Sequence, residues 1–269
     1  MPDFSKYPLG AIPSPPDKRD YRVQSANYVI AADLPARYAV SHHQPVRNQA
    51  HEGTCVGHAL ASGVMGHLQQ LKPTPDAPFG RTLSVRDAYE GARQVEHVSG
   101  EGAFPRAALK YAQKTGLCLE AEWPYQAGDR GAPAAAADTS RACNRIGSYA
   151  AVNLAIIDMK AAMTLHGALM VVVPVVDGFY QPNGAGFVRY EGGRHGYHAV
   201  VLVGWDDATK AFRVRNSWGT GWGQGGYCWL PYEYPITEAW SVTSALTAEP
   251  APRPPPERPW WAWFLPWWQ

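Results

Sequence analysis

Apolar residues recur at helical spacing through the first half of this chain and in strand-like runs through the second. That order confines the fold to the α+β class with two lobes. Val56, Leu60, Val64 and Leu68 recur every fourth residue and predict a helix over about 55–70. Ser84 as an N-cap ahead of Val85, Ala88, Tyr89 and Ala92 predicts a second helix. Pro105 in a first-turn position ahead of Ala108, Leu109, Tyr111 and Ala112 predicts a third. A fourth, about 157–165 and stopped by Gly167, is set among strand-like runs at 168–175, 198–205, 212–216 and 227–230.

Proline brackets this core. Five prolines in the first 20 residues predict an extended segment, so residues 1–33 read as an extension lying on a domain of residues 34–247, either as a lid over its cleft or packed on the back of a lobe. Beyond it, residues 248–269 form a separate tail: Glu249 to Pro259 carries six prolines, a semi-rigid spacer, and the last ten residues hold five of the eleven tryptophans. Exposed indoles need a cover: either the tail folds back into a groove of its own domain or it docks elsewhere, and with only Arg253 and Arg258 nearby a protein partner is then favoured over an anionic membrane. The chain is otherwise expected to be a monomer. Its net charge of +1 gives no field to attract a nucleic acid.

The N-terminus lacks a cationic start followed by an apolar stretch, which predicts a protein that is cytoplasmic as synthesised and leaves leaderless export open. The longest apolar runs, 168–176 and 260–268, are about half of the ~20 residues a membrane-spanning helix requires. Cys55, Cys118, Cys143 and Cys228 contain no CxxC pair, so no thiolate metal site is expected, and whether Cys118 and Cys143 pair stays open.

Cys55 follows Gly53 and Thr54 at the start of the first predicted helix, where the positive end of the macrodipole stabilises a thiolate. Taken alone, a buried structural cysteine is the simpler reading. His198, however, stands at the mouth of one predicted strand and Asn216 at the end of the next, beside Ser217 and Trp218, so antiparallel pairing would bring them together. With Gln49 six residues before the cysteine, this arrangement resembles the papain-like cysteine peptidases. Cys55 to His198 is 143 residues and Cys55 to Asn216 is 161, against about 130–150 for that family, so a modest insertion is implied.

The resemblance covers about residues 34–247. Gly102, Ala103, Phe104 and Pro105 look like the family's substrate-backbone strip, Glu122-Trp123-Pro124-Tyr125 like its crossing between lobes, and residues 219–227 like the segment after its Asn-Ser-Trp. It implies a helical left lobe, an antiparallel β-barrel-like right lobe and a cleft between them. It further implies Cys55 as nucleophile, His198 as its base, Asn216 as the orienting third member, Gln49 as an oxyanion donor and Trp218 as a shelter for His198 and Asn216. Phe104, Pro105, Val172 and Ala199, with Tyr197 beside the histidine, would wall an apolar substrate pocket. No cofactor and no metal are implied, and the substrate would be a peptide or protein.

Two departures stand out: Val56 where the family has Trp, and Ala103 where a second Gly would let a substrate backbone approach closely. No cysteine falls at the family's usual disulfide positions near the nucleophile, and no long inhibitory propeptide precedes residue 34, as in short prokaryotic forms. The alternatives are a catalytically inactive binding module, or a Cys-His amidase or acyltransferase acting on a non-peptide amide. Other motifs fall away: residues 221–226 fit GxGxxG but precede a strand, and His51-Glu52 meets Cys55 where HExxH needs a histidine. His42, His43, His58 and His67 read as solvated or core side chains, and no GxSxG is present.

Overall fold

The computed structural model describes residues 6–23, 34–41, 44–70 and 80–246. A single helical run starts at Cys55: α1 (Cys55–His58) passes through a π-helical segment (Ala59–Val64) into α2 (Met65–Gln70). The fourfold spacing predicts a plain α-helix with one apolar stripe. Instead residues 55–67 are all buried, and contact on every side holds the wider turn. Gly63 allows the run to lie on the sheet, since a Cβ there would sit 2.4 Å from Val201 Cγ2.

Ser84 caps α3 (Val85–Val95) as predicted, accepting the Asp87 N–H at 3.0 Å. Pro105 opens α4 (Pro105–Lys114). The two helices meet closely at Gly91, where a Cβ would be 2.3 Å from the Tyr111 ring. Three further helices follow: α5 (Ala137–Cys143), α6 (Ile156–His166), ended by Gly167 at φ 80°, and α7 (Asp177–Tyr180).

The eight strands are β1 (Arg22–Val23), β2 (Arg37–Ala39), β3 (Arg145–Val152), β4 (Leu169–Val176), β5 (Arg194–Asp206), β6 (Ala211–Arg215), β7 (Tyr227–Pro231) and β8 (Glu238–Leu246). They form one sheet in the order β1-β3-β8-β4-β5-β6-β7, with β2 on β5; β1 runs parallel to β3 and every other pair is antiparallel. β4 is buried along its whole length because both faces are covered. Met170 and Val172 join the core beneath α1 to α4, whereas Val171, Val173 and Val175 join a second core with Phe179, Trp205 and Phe212. This is the α+β, two-lobe, papain-like architecture.

Residues 6–23 are part of this architecture, since β1 pairs with β3 and Ala151 N–H donates to Tyr21 O at 2.8 Å. Residues 24–33 and the tail from 247 onward lie outside the described residues. All four cysteines are free thiols, so Cys118 and Cys143 do not pair. Among the described residues no helix is long and apolar enough to cross a membrane.

A buried carboxylate holds α5 to the helical lobe. Asp87, wholly inaccessible, receives Arg141 Nη2 at 2.7 Å and Nε at 3.0 Å, the Tyr111 hydroxyl at 2.9 Å and the Cys118 N–H at 2.8 Å. Removing one partner of such a pair strands the other charge in the interior. Asp87→Ala is therefore expected to destabilise the protein by about 3–5 kcal/mol; an unchanged midpoint in urea unfolding would contradict this.

Candidate active site

The two lobes meet along α1 and β5, and the chemistry-bearing side chains lie on that seam. Cys55 is the first residue of α1 and is fully buried; its sulfur accepts the N–H of Ala199, next to His198 on β5, at 3.5 Å. Asn216 follows β6, which pairs with β5. Its Oδ1 lies 2.7 Å from His198 Nε2 and also accepts the N–H of Ser217 at 2.7 Å. A backbone N–H can only donate, so the atom between them is the amide oxygen and His198 Nε2 carries a proton. The imidazole's other nitrogen, Nδ1, is then its basic atom, and among the described residues it has no hydrogen-bond partner.

Gln49 is tied into the same constellation. Its N–H donates to Ser217 O at 2.8 Å and its Oε1 accepts the Ser217 hydroxyl at 2.6 Å. The remaining amide hydrogens, on Nε2, go to Glu52 O and Pro8 O, both at 3.0 Å. Trp218 lies over the imidazole, ring centroids 4.5 Å apart and 26° from parallel. The predicted Cys55, His198, Asn216, Gln49 and Trp218 are thus brought together from four separate parts of the chain.

Two buried cations that sequence patterns did not single out hold this arrangement. Arg215 donates to Gln44 O at 3.0 Å and Pro45 O at 2.7 Å, clamping the segment that leads to Gln49 against the end of β6. Arg86 grips both oxygens of Glu52 at 2.6 and 2.7 Å, fixing the turn before Cys55. Burial pushes the Glu52 carboxyl up, but the Arg86 bonds and the Gly128 N–H outweigh it and hold it below the usual range. Arginines in a sequence read as surface residues; only their partners reveal these as internal.

The cleft itself is filled by the chain's own N-terminal segment. Tyr7 stacks on Trp218 with centroids 4.8 Å apart, Pro8 offers its carbonyl to Gln49, and Gly10 N–H bonds the Cys55 sulfur. Ala11 N–H donates to Tyr197 O at 3.3 Å, while Gly10 O and Ile12 N–H pair with the N–H and carbonyl of Ala103 at 2.9 and 3.0 Å. Ala103 thus bridges Ala11 in parallel sense, and its methyl does not prevent backbone approach. Farther along, Ser14 N–H reaches Glu238 Oε1 at 2.9 Å. The extension expected to lie on the domain runs through the seam between lobes.

The remaining wall residues fall as follows. Gly102, at φ 95°, passes so near the segment that a Cβ would be 2.7 Å from Gly10 O. Phe104 packs partly buried on the helical core and Pro105 opens α4. Val172 sits directly opposite Ala199 on one side and Glu238 on the other, so the three form a row on one face of the sheet. Sequence reading placed only apolar residues there and missed Glu238, a carboxylate that burial pushes above its usual range. Tyr197 turns its ring to Arg194, whose guanidinium lies 4.4 Å from the ring centroid. Among the described residues no three His, Cys, Asp or Glu side chains are placed to hold a metal ion.

Closure of the seam sets the electrostatics. Burial drives the Cys55 thiol up to about 11, against opposing backbone N–H groups of Ala199 and Gly10, and pulls His198 down to about 4, against its bond to Asn216. With the segment in place both groups are uncharged at neutral pH. Gly10 is the tightest point of the cover, because a Cβ would fall 1.8 Å from Gly53 O, a backbone atom that cannot give way. Gly10→Ala is expected to lift the segment and rehydrate the thiol. Alkylation of Cys55 by iodoacetamide at pH 7 should then accelerate by about tenfold for each unit the thiol falls; an unchanged rate would show the segment still seated.

Comparison with known proteins places this geometry. The model of the papain family cysteine proteases matches residues 32–241. A cysteine protease of Blomia tropicalis is 27% identical over 189 residues, covering 68% of this chain and 56% of that protein. Cathepsin B-like cysteine proteinase 4 of Caenorhabditis elegans is 29% identical over 217 residues, covering 68% and 64%. The chain therefore spans less than two thirds of the length of these relatives. Among solved structures, xylellain, a cysteine protease from Xylella fastidiosa, superposes with a TM-score of 0.79 at 26% identity over 91% of this chain and 98% of that one.

Proposed function

This chain belongs to the papain family of cysteine proteases, and on that premise we propose that it hydrolyses peptide bonds with Cys55, His198 and Asn216. The observation that carries the reading is the orientation of Asn216. Its oxygen, fixed by the Ser217 N–H, leaves His198 with a protonated Nε2 and a basic Nδ1 available for the Cys55 proton. The thiolate adds to the substrate carbonyl carbon. Gln49 Nε2 then donates to the resulting oxyanion in place of Pro8 O, together with the Cys55 backbone N–H. The imidazolium returns its proton to the leaving amine, a thioester remains on Cys55, and water activated by His198 releases the acid product.

Residues 7–12 act in this reading as a self-supplied occupant of the substrate site. What the segment presents to the sulfur is the Gly10 N–H, a donor and not an electrophile, so it blocks the site without reacting. It also keeps water out, which holds the thiol and imidazole uncharged. Once it is displaced, rehydration restores the thiolate–imidazolium pair. Peptides and proteins are the substrates. The row of Ala199, Val172 and Glu238 together with Phe104, Pro105 and Tyr197 supports a pocket wall on the side where Ala103 holds the substrate backbone.

Cleavage of fluorogenic peptides by Cys55→Ala and by His198→Ala is expected to fall to background with circular dichroism unchanged, whereas Asn216→Ala should retain measurable turnover because it only orients the base. Full turnover in Cys55→Ala would overturn the mechanism, and mass spectrometry of the products distinguishes peptide hydrolysis from acyl transfer to an amine. kcat/KM of a chain freed of the segment should be bell-shaped in pH. It falls on the acid side as the thiolate is protonated and on the alkaline side as the imidazolium loses its proton. A flat profile from about pH 4 to 9 would contradict a Cys–His pair.

A further inference from the structure

Beside Asn216, across a small space that both residues line, the structure holds a second histidine that the mechanism above does not use. His58 ends α1 and is buried, its ring edge-on to Tyr125 at 4.8 Å. Its Nδ1 lies 3.2 Å from Thr54 O, which can only accept, and 3.4 Å from the Thr54 hydroxyl. Because the Tyr125 hydroxyl donates to Gln49 O at 2.8 Å, its oxygen accepts the Thr54 hydroxyl hydrogen at 2.8 Å, so His58 Nδ1 carries the proton and Nε2 is a lone-pair acceptor. Burial drives the imidazole down to about 3, so it stays in this neutral form at working pH.

His58 Nε2 is one of the buried side-chain atoms without a protein partner, and Asn216 Nδ2 is another. Both residues line the same small space of about 10 Å³, together with Ser62, Ala199, Arg215 and Ser217. That volume accommodates the centre of one water molecule, and a buried water needs two to four polar partners. The two orphan atoms are complementary: Asn216 Nδ2 can only donate, and His58 Nε2 can only accept. A direct bond between them is not made, and the space they both line has room for a mediator.

We propose that His58 is a positioning residue for the peptidase reaction, acting through a single buried water that accepts from Asn216 Nδ2 and donates to His58 Nε2. The inference rests on the peptidase reading of Cys55, His198 and Asn216. With Ser217 N–H holding the oxygen and the water holding the nitrogen, both ends of the carboxamide are engaged and the plane of the amide is set. Rotation of the amide would then aim its N–H groups at the His198 Nε2–H and the Ser217 N–H, trading matched contacts for two donor–donor clashes, and would turn its oxygen to the water. The histidine thereby locks the imidazole tautomer from a distance, and an apolar side chain at position 58 could not.

The test is a double-mutant cycle on kcat/KM of the full chain. His58→Phe, which fills the ring volume but removes Nε2, is expected to lose about tenfold, one hydrogen bond's worth of orientation, and His58→Gln, which restores a polar atom near that point, to recover most of it. In an Asn216→Ala background the same His58→Phe change should cost nothing further, because the group it positions is gone. Equal losses in both backgrounds, or no loss in either, would overturn the proposal. Should the phenylalanine variant fail to fold, His58→Met enters the same cycle. A readout independent of turnover is the exchange of the His198 Nε2 proton with solvent, followed by NMR in the Cys55→Ala chain. It should quicken in His58→Phe, and an unchanged rate would overturn the bridge. Cleavage that survives Cys55→Ala would instead overturn the peptidase mechanism and leave the exchange measurement to decide on His58.

Discussion

One backbone donor organises the candidate active site: the Ser217 N–H, 2.7 Å from Asn216 Oδ1. A carboxamide is nearly symmetric in shape, and only its partners decide which end is oxygen. With the oxygen fixed, His198 must present a protonated Nε2 to it and keep Nδ1 basic. Ser217 also holds Gln49 through its hydroxyl and carbonyl, so the proposed oxyanion donor and the proposed orienter of the base hang on the same residue. Arg215, immediately before Asn216, completes the junction by clamping the Gln44–Pro45 backbone. The seam between the lobes is therefore a hydrogen-bonded unit that a loop insertion elsewhere can leave untouched.

The second organising fact is that this unit is dry. Residues 7–14 complete the interface between the lobes, with contacts to Trp218, Gln49, Cys55, Ala103, Tyr197 and Glu238 in succession. Because the segment is covalently attached, its effective concentration at the cleft is high, on the order of millimolar for flexible tethers, and a free peptide must compete against that. Burial then does to the thiol and imidazole what it does to any ionisable pair without water: it favours the neutral forms. Steric cover and loss of charge are two consequences of one contact. The salt bridge of Asp20 with Arg106, at 2.9 Å, anchors the segment on α4 just past the cleft.

Much of this was legible from residue patterns. Cys55 at a helix start and His198 and Asn216 on neighbouring predicted strands are legible from local pattern, whereas their roles, and the choice of Gln49 six residues upstream, come from the resemblance to the papain-like peptidases. The capped helix at Ser84 and the Pro105 start are legible from local pattern too. The helices α5 and α7, of seven and four residues, were not, since neither is long enough to display a 3.6-residue period. β3 and β8 escaped because their polar and apolar residues mix: Ser148, Ser241 and Thr243 interrupt the runs, and each strand takes its identity from the other.

What the amino-acid order determined alone was the inventory: which stretches can be helices or strands, and which side chains could carry acyl transfer. The first is a question of spacing over a few residues, where periodicity and capping act; the second rests on the ordered motifs that resemble the papain-like peptidases. Tertiary structure decided what fills the cleft, that a carboxylate, Glu238, ends the row begun by Ala199 and Val172, and that Arg86, Arg215 and His58 are interior. Each depends on contacts between residues far apart in the chain; Ser14 meets Glu238 across 224 positions. A buried cation and a solvated one have the same local sequence, and the difference between them is the partner that folding brings, which no spacing rule encodes.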